Sequence, residues 1–186
     1  MGNSDVIKIT TCGKNLLPYP YVGRLTEGEN TVEGCPITIN TDGSIKVNGS
    51  PSKTVAADLV DLILPPGSYI FTTGTDEIIQ GCYFQLNTTV NGEWGERVAR
   101  PGLVDENTRL ENERFTLTKT TSLRVRLYFS KSYTYNHVFY PMIRLASIAD
   151  TTFEPYKDSN SITIFTPNGL PGIPVESGGN HKDANE

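Results

Sequence analysis

Basic clusters, long apolar runs and catalytic signatures are all missing from this chain of 186 residues. Lys and Arg number 16 against 21 Asp and Glu, for a net charge of −5. No cluster of cations is available to neutralise phosphates, so a nucleic-acid partner is not expected. No apolar run approaches the ~20 residues of a membrane-spanning helix, so membrane insertion is not expected. The opening MGNSDVIKITTCGKN has no basic segment followed by an apolar one, so no signal peptide is expected. Its sixth position is Val, which departs from the myristoylation pattern.

The residues of common catalysis are equally sparse. There is no G-x-S-x-G, no H-E-x-x-H and no phosphate-binding glycine loop. The two histidines, His137 read in a turn and His181 in the tail, have no partners at ligand spacing. Cys12, Cys35 and Cys82 fit no zinc pattern and cannot all pair within one chain. Cys82 falls on an apolar strand face and reads as a small hydrophobe. For the other two, free thiols and a Cys12–Cys35 disulfide both stay open. Asp58, Asp61, Asp76, Glu77, Glu93, Glu96, Asp105 and Glu106 would offer a glycosidase its two carboxylates. A solvated acidic surface is the preferred explanation of them. The expectation is a protein that is not an enzyme, with no cofactor and no metal site.

What is present is alternation. Leu123, Val125, Leu127 and Phe129 fall on one side of residues 122–129, and Arg124, Arg126 and Tyr128 on the other. That is the pattern of a half-buried strand. Pro141 breaks the apolar run 138–145 and places it at an edge, a bulge or a strand end. The two runs are read as an antiparallel hairpin around a polar turn at 130–136. Tyr69 and Phe71, Cys82, Phe84 and Leu86, and Phe115 and Leu117 alternate in the same way. Ile37 and Ile39 face Ile45 and Val47 across an Asp42–Gly43 turn. Residues 53–64 fit helical and strand spacing alike; the strands around them favour strand. Residues 99–112 show no period and are read as a loop. Leu16, Leu17, Tyr19 and Tyr21, among prolines, are expected to lie across the fold and cover an open edge.

Strands at roughly ten-residue spacing with Gly, Pro, Asn and Asp turns predict an all-β fold, an antiparallel β-sandwich of jelly-roll type with extended N- and C-terminal arms. The sandwich is assigned to residues 15–157, an N-terminal arm to 1–14 and a Pro/Gly-rich tail to 158–186. Neither arm has an obvious strand partner within the chain, so both are expected to reach neighbouring subunits.

Several phrases, in this order, carry a resemblance: NLLPYP at 15–20, DGSIKVNG at 42–49, LPPGSY at 64–69, PMIRL at 141–145 leading to FEPY at 153–156, and TPNGLPGIPV at 166–175. Over residues 12–175 the chain resembles modules of minor tail and baseplate proteins from phages and prophages of Gram-positive bacteria. Those modules are similar to carbohydrate-binding-module jelly rolls. The resemblance implies a virion component, assembled in the bacterial cytoplasm, that attaches to host-surface glycans. The alternative is a structural module held by other virion proteins; the resemblance implies a homo-oligomer, with threefold symmetry. The chain is either a small separate protein or an excised domain.

Sugars offer apolar C–H faces to aromatic rings and hydroxyls to paired donors and acceptors, which directs attention to exposed aromatics beside polar groups. Trp94 stands between glycines and carboxylates and is read two ways: a sugar-facing ring, or an anchor under the 99–112 segment. Tyr83 and Gln85 lie on the outward face of their strand, as do Arg124, Arg126 and Tyr128. Tyr133 and Tyr135 sit in the turn after residue 129. These eight residues are the candidate ligand-binding set. A bacterial surface polysaccharide is the expected partner.

Overall fold

The computed structural model describes residues 5–11, 13–75, 79–105, 108–110, 112–158 and 160–166. Every regular element among them is a β-strand. Within the compact unit Cys12–Asp158 the strands form three antiparallel sheets. In chain order β1 is Asp5–Thr11, β2 Gly28–Val32, β3 Cys35–Ile39, β4 Ile45–Gly49 and β5 Val55–Leu64. Next come β6 Gly67–Thr72, β7 Cys82–Val90, β8 Glu93–Ala99, β9 Gly102–Asp105 and β10 Thr108–Leu110. The series ends with β11 Asn112–Leu117, β12 Thr121–Phe129, β13 Tyr135–Phe139, β14 Met142–Leu145 and β15 Asn160–Thr166.

One sheet runs β10-β9-β7-β12-β5, with β8 also on β7; a second runs β11-β6-β14; a third runs β13-β4-β3-β2. The pairings are nested. β4 pairs with β13, β5 with β12 and β6 with β11, around the inner strand β7. The antiparallel pair β5·β12 thus passes into the next sheet as the pair β6·β11. A long ribbon folded over in this way is the jelly-roll sandwich. Pro65 and Pro66 make one crossing, between β5 and β6, where two prolines end any ladder.

The core follows the alternation. Leu123, Val125, Leu127 and Phe129 are buried, as are Phe84, Leu86, Tyr69, Phe71, Phe115 and Leu117. Ile37 faces Val47 and Ile39 faces Ile45 across the β3–β4 hairpin, and all four are buried. Cys35 and Cys82 are free, buried thiols, and burial pushes both thiol pKa values up. Cys12 and His181 lie outside the described residues. Leu17 and Tyr21 are buried and Leu16 packs beside them. The Leu16 amide donates to Ile143, while Val22 and Gly23 donate to Leu59 and Arg24 donates to Asp58. The 16–25 segment therefore crosses from β14 to β5, which ends its sheet, and covers part of that edge.

Residues 53–64 are read ambiguously because β5 carries a β-bulge. Val125 opposes Val60 and Arg126 opposes Asp58, which leaves Leu59 unpaired. One extra residue reverses the phase of the strand. Leu59 and Val60 are therefore both buried, an adjacency that imitates a helix.

Four expectations are corrected. β12 and the 138–145 run do not form a hairpin: β12 lies between β5 and β7, and Pro141 splits the run into β13 on β4 and β14 on β6. The 99–112 segment is not a loop but holds β9, β10 and the start of β11, strands too short to show a period. His137 lies within β13 and not in a turn. The arms do have a partner within the chain, namely each other. β1 and β15 form a separate antiparallel ladder, Ile7 opposite Ile164 and Ile9 opposite Ile162.

Candidate functional site

Three neighbouring strands set the register of one sheet face. Arg124 of β12 stands between Asp61 of β5 and Asn87 of β7. One step along, Arg126 stands between Asp58 and Gln85. A further step places Tyr128 between Ala56 and Tyr83. Side chains two apart on a strand share a face, and the core residues point the other way. Tyr83, Gln85, Arg124, Arg126 and Tyr128 are therefore neighbours on the outward face, each partly exposed. β8 folds over beside them through a tight turn at Asn91 and Gly92, both at positive φ (55° and 82°). That is the two-residue hairpin that Asn-Gly favours.

Trp94 is the second residue of β8. Its ring packs against Arg126, whose guanidinium carbon is 3.3 Å from the ring centroid, with that of Arg124 at 5.9 Å. Neither sequence reading of Trp94 supplied this partner. The two arginines are held in turn by carboxylates. Arg124 donates from Nε and Nη2 to the two oxygens of Asp61 at 2.5 and 2.8 Å. Arg126 donates from Nε to Asp58 at 2.5 Å. The bidentate pair is of the geometrically specific kind, and the Arg124 hydrogen bond holds the Asp61 carboxyl below the usual carboxylate range. Asp58 and Asp61 are three apart and would point oppositely in a regular strand. The bulge at Leu59 brings both onto this face.

Beside the arginines, Tyr83 and Tyr128 stack with ring centroids 4.3 Å apart and planes 19° from parallel. Arg100 lies over the Tyr83 ring at 5.3 Å. Burial, and then the neighbouring Tyr128, raise the Tyr83 pKa. The β5 neighbour of Tyr128 is Ala56, whose side chain is one methyl group. Asn87 is buried; its amide donates to the Gly95 carbonyl at 3.0 Å, and its Oδ1 has no hydrogen-bond partner among the described residues. A cavity of about 260 Å³ opens at the β5 end of the face, between Val22, Arg24, Asp58, Asp61 and Arg124.

Of the eight candidates, this face gathers Trp94, Tyr83, Gln85, Arg124, Arg126 and Tyr128. Tyr133 lies elsewhere, in the turn after β12, 39 % exposed and with its ring against Gly81. Tyr135 is corrected outright: it is a core residue of β13, 1 % exposed, its hydroxyl 3.0 Å from the carbonyls of Gly81 and Ser130, which share its one proton, and accepting from the Ser130 amide. The alternation of Tyr135 and Phe139 was present in the sequence, but the polar residues around Tyr135 read as turn. Arg100, Asn87, Asp58 and Asp61 complete the face and are not among the eight. A cross-strand partner shows only once the register is known.

The described residues contain no group of three or more His, Cys, Asp or Glu side chains suited to a metal ion. The face instead offers stacked rings, fixed guanidinium groups and amides. Compared with known families, curated proteins and solved structures, the chain matches none.

Proposed function

We propose that this chain is a non-catalytic carbohydrate-binding module of a phage tail or baseplate, and that it attaches the virion to a bacterial surface polysaccharide. The observation that carries the reading is the convergence of Trp94, Tyr83 and Tyr128 on one sheet face, among Gln85, Arg100, Arg124 and Arg126. Flat rings receive the C–H faces of sugars, and the surrounding amides and guanidinium groups receive the hydroxyls. The rings are held by stacking and the arginines by Asp58 and Asp61, so little ordering is required on binding. The face is shallow and each contact weak. A virion displays many copies, and linked weak sites gain avidity without new contacts. Binding of a multivalent form to bacterial polysaccharides, with and without Trp94 and Tyr128, tests this.

A second reading, an assembly module acting through protein contacts with other virion proteins or further copies of itself, has one observation in its favour. β5 ends its sheet, and the half of it beyond residue 60 carries Ile63, an aliphatic residue 67 % exposed. Edge strands accept partner strands. The oligomeric state in solution distinguishes the two.

A further inference from the structure

Trp94 is turned onto the sheet face by an irregularity in its own strand. Arg97 of β8 stands opposite Asn87 of β7, and Trp94 stands opposite Thr89. Asn87 and Thr89 are two apart and share the outward side, where Asn87 also stands beside Arg124 of β12. Trp94 and Arg97 are three apart and would face oppositely in a regular strand. They share a face because Gly95 and Glu96 together oppose the single residue Thr88, which makes a β-bulge. Without the extra residue, the Asn87–Arg97 pairing would bring Trp94 opposite Val90, on the reverse side. The indole would then lose its place against Arg126.

Two side chains of β7 hold the bulge. The Thr88 hydroxyl accepts from the Glu96 amide at 2.9 Å. The Asn87 amide donates to the Gly95 carbonyl at 3.0 Å. A Cβ on Gly95 would fall 2.2 Å from the Thr88 hydroxyl oxygen, so a side chain there would drive that hydroxyl off Glu96. Asn87 is 6 % exposed, and its buried Oδ1 has no partner among the described residues. A buried acceptor left unpaired is destabilising, and a leucine of similar size would avoid it. What asparagine supplies and leucine cannot is a donor, and that donor goes to the bulge. We propose that Asn87 is the positioning residue of the Trp94 face, its amide holding the β8 bulge that lays the indole over Arg126. Its part in binding rests on the reading of that face as a polysaccharide site; its placement of the ring does not.

The test is Asn87→Leu in the full chain, followed by NMR and by binding. With the Arg126 guanidinium carbon 3.3 Å from the indole centroid, the protons beside it lie in the ring current of Trp94 and should resonate far upfield in the wild type. In Asn87→Leu that upfield shift should disappear, while the methyl resonances of Leu86 and Leu127 in the core keep their native positions. A multivalent form should bind an array of bacterial surface polysaccharides at least tenfold more weakly than the wild type, with a cooperative melt retained. Where Asn87→Leu does not fold, Asn87→Asp, which keeps the shape and removes only the donor, is read in its place. An Arg126 upfield shift retained in the folded variant overturns the proposal, and so does undiminished binding. If neither variant folds, Asn87 serves the fold and not the ring, and the proposal falls. If the wild type binds no polysaccharide, the reading of the face fails, and the Arg126 resonances still decide whether Asn87 places the indole.

Discussion

The guanidinium of Arg126 sits against the indole of Trp94, 3.3 Å from carbon to ring centroid, while its Nε is bound to Asp58. A cation over an aromatic face contributes about 0.5–1 kcal/mol where exposed and about 2 when desolvated. Trp94 is the sole tryptophan, so fluorescence excited selectively at tryptophan reports the surroundings of this ring. Arg126→Ala is expected to move the emission to longer wavelength and to lower stability by about 1–2 kcal/mol, through the lost stack and the lost hydrogen bond to Asp58, which keeps Arg124 at 3.8 Å. An unchanged spectrum would show that the stack does not form.

Leu127 lies at the centre of the core, between Phe84 on β7 and Ala57 on β5. Leu127→Ala should cost about 2–5 kcal/mol in chemical denaturation, as for other packed leucines. A loss below about 0.5 kcal/mol would contradict the face assignment of β12.

Asp61 and Asp150 are among the carboxyls held below their usual range in the folded chain. Asp61 is held there by the Arg124 hydrogen bond. Asp150 is held there first by the Lys14 ammonium at 2.6 Å and then by Thr152. A depressed folded pKa contributes stability above the unfolded value, about 3.9 for Asp. That contribution disappears as pH falls from there towards the folded value. The melting temperature should therefore be level above about pH 5 and fall as the acid range is entered. In Asp61→Asn and Asp150→Asn the fall should be shallower. Identical pH profiles for wild type and both variants would refute the two pairings.

The sequence was most legible where one strand face is buried and the other is wet. In β12, Leu123 to Phe129 alternate without interruption, and the period settled strand, face and core together. It was least legible where a local irregularity or a distant partner decides the outcome. Leu59 breaks the period of β5, and the same bulge sets Asp58 and Asp61 side by side. β9 and β10 span four and three residues, too few for a period to register. Trp94 shows the limit for the site. Its flanking glycines suggested an open ring, yet its partner is Arg126, brought close by the β7–β8 and β7–β12 pairings. Tyr83, Gln85, Arg124, Arg126 and Tyr128 came together because parity alone places them on the outward side. Tyr135 was misplaced because a turn and a short buried strand use the same residues there.

Binding of bacterial surface polysaccharide by the Trp94–Tyr128 face, as proposed, is open to direct test. The most direct measurement is the binding of a multivalent form of the chain to an array of such polysaccharides, compared with Trp94→Ala/Tyr128→Ala, beside thermal melting of both. The wild type should bind at least one polysaccharide. The double variant should lose that binding and retain a cooperative melt. Absence of binding by the multivalent wild type, or undiminished binding by the folded double variant, would contradict the proposal.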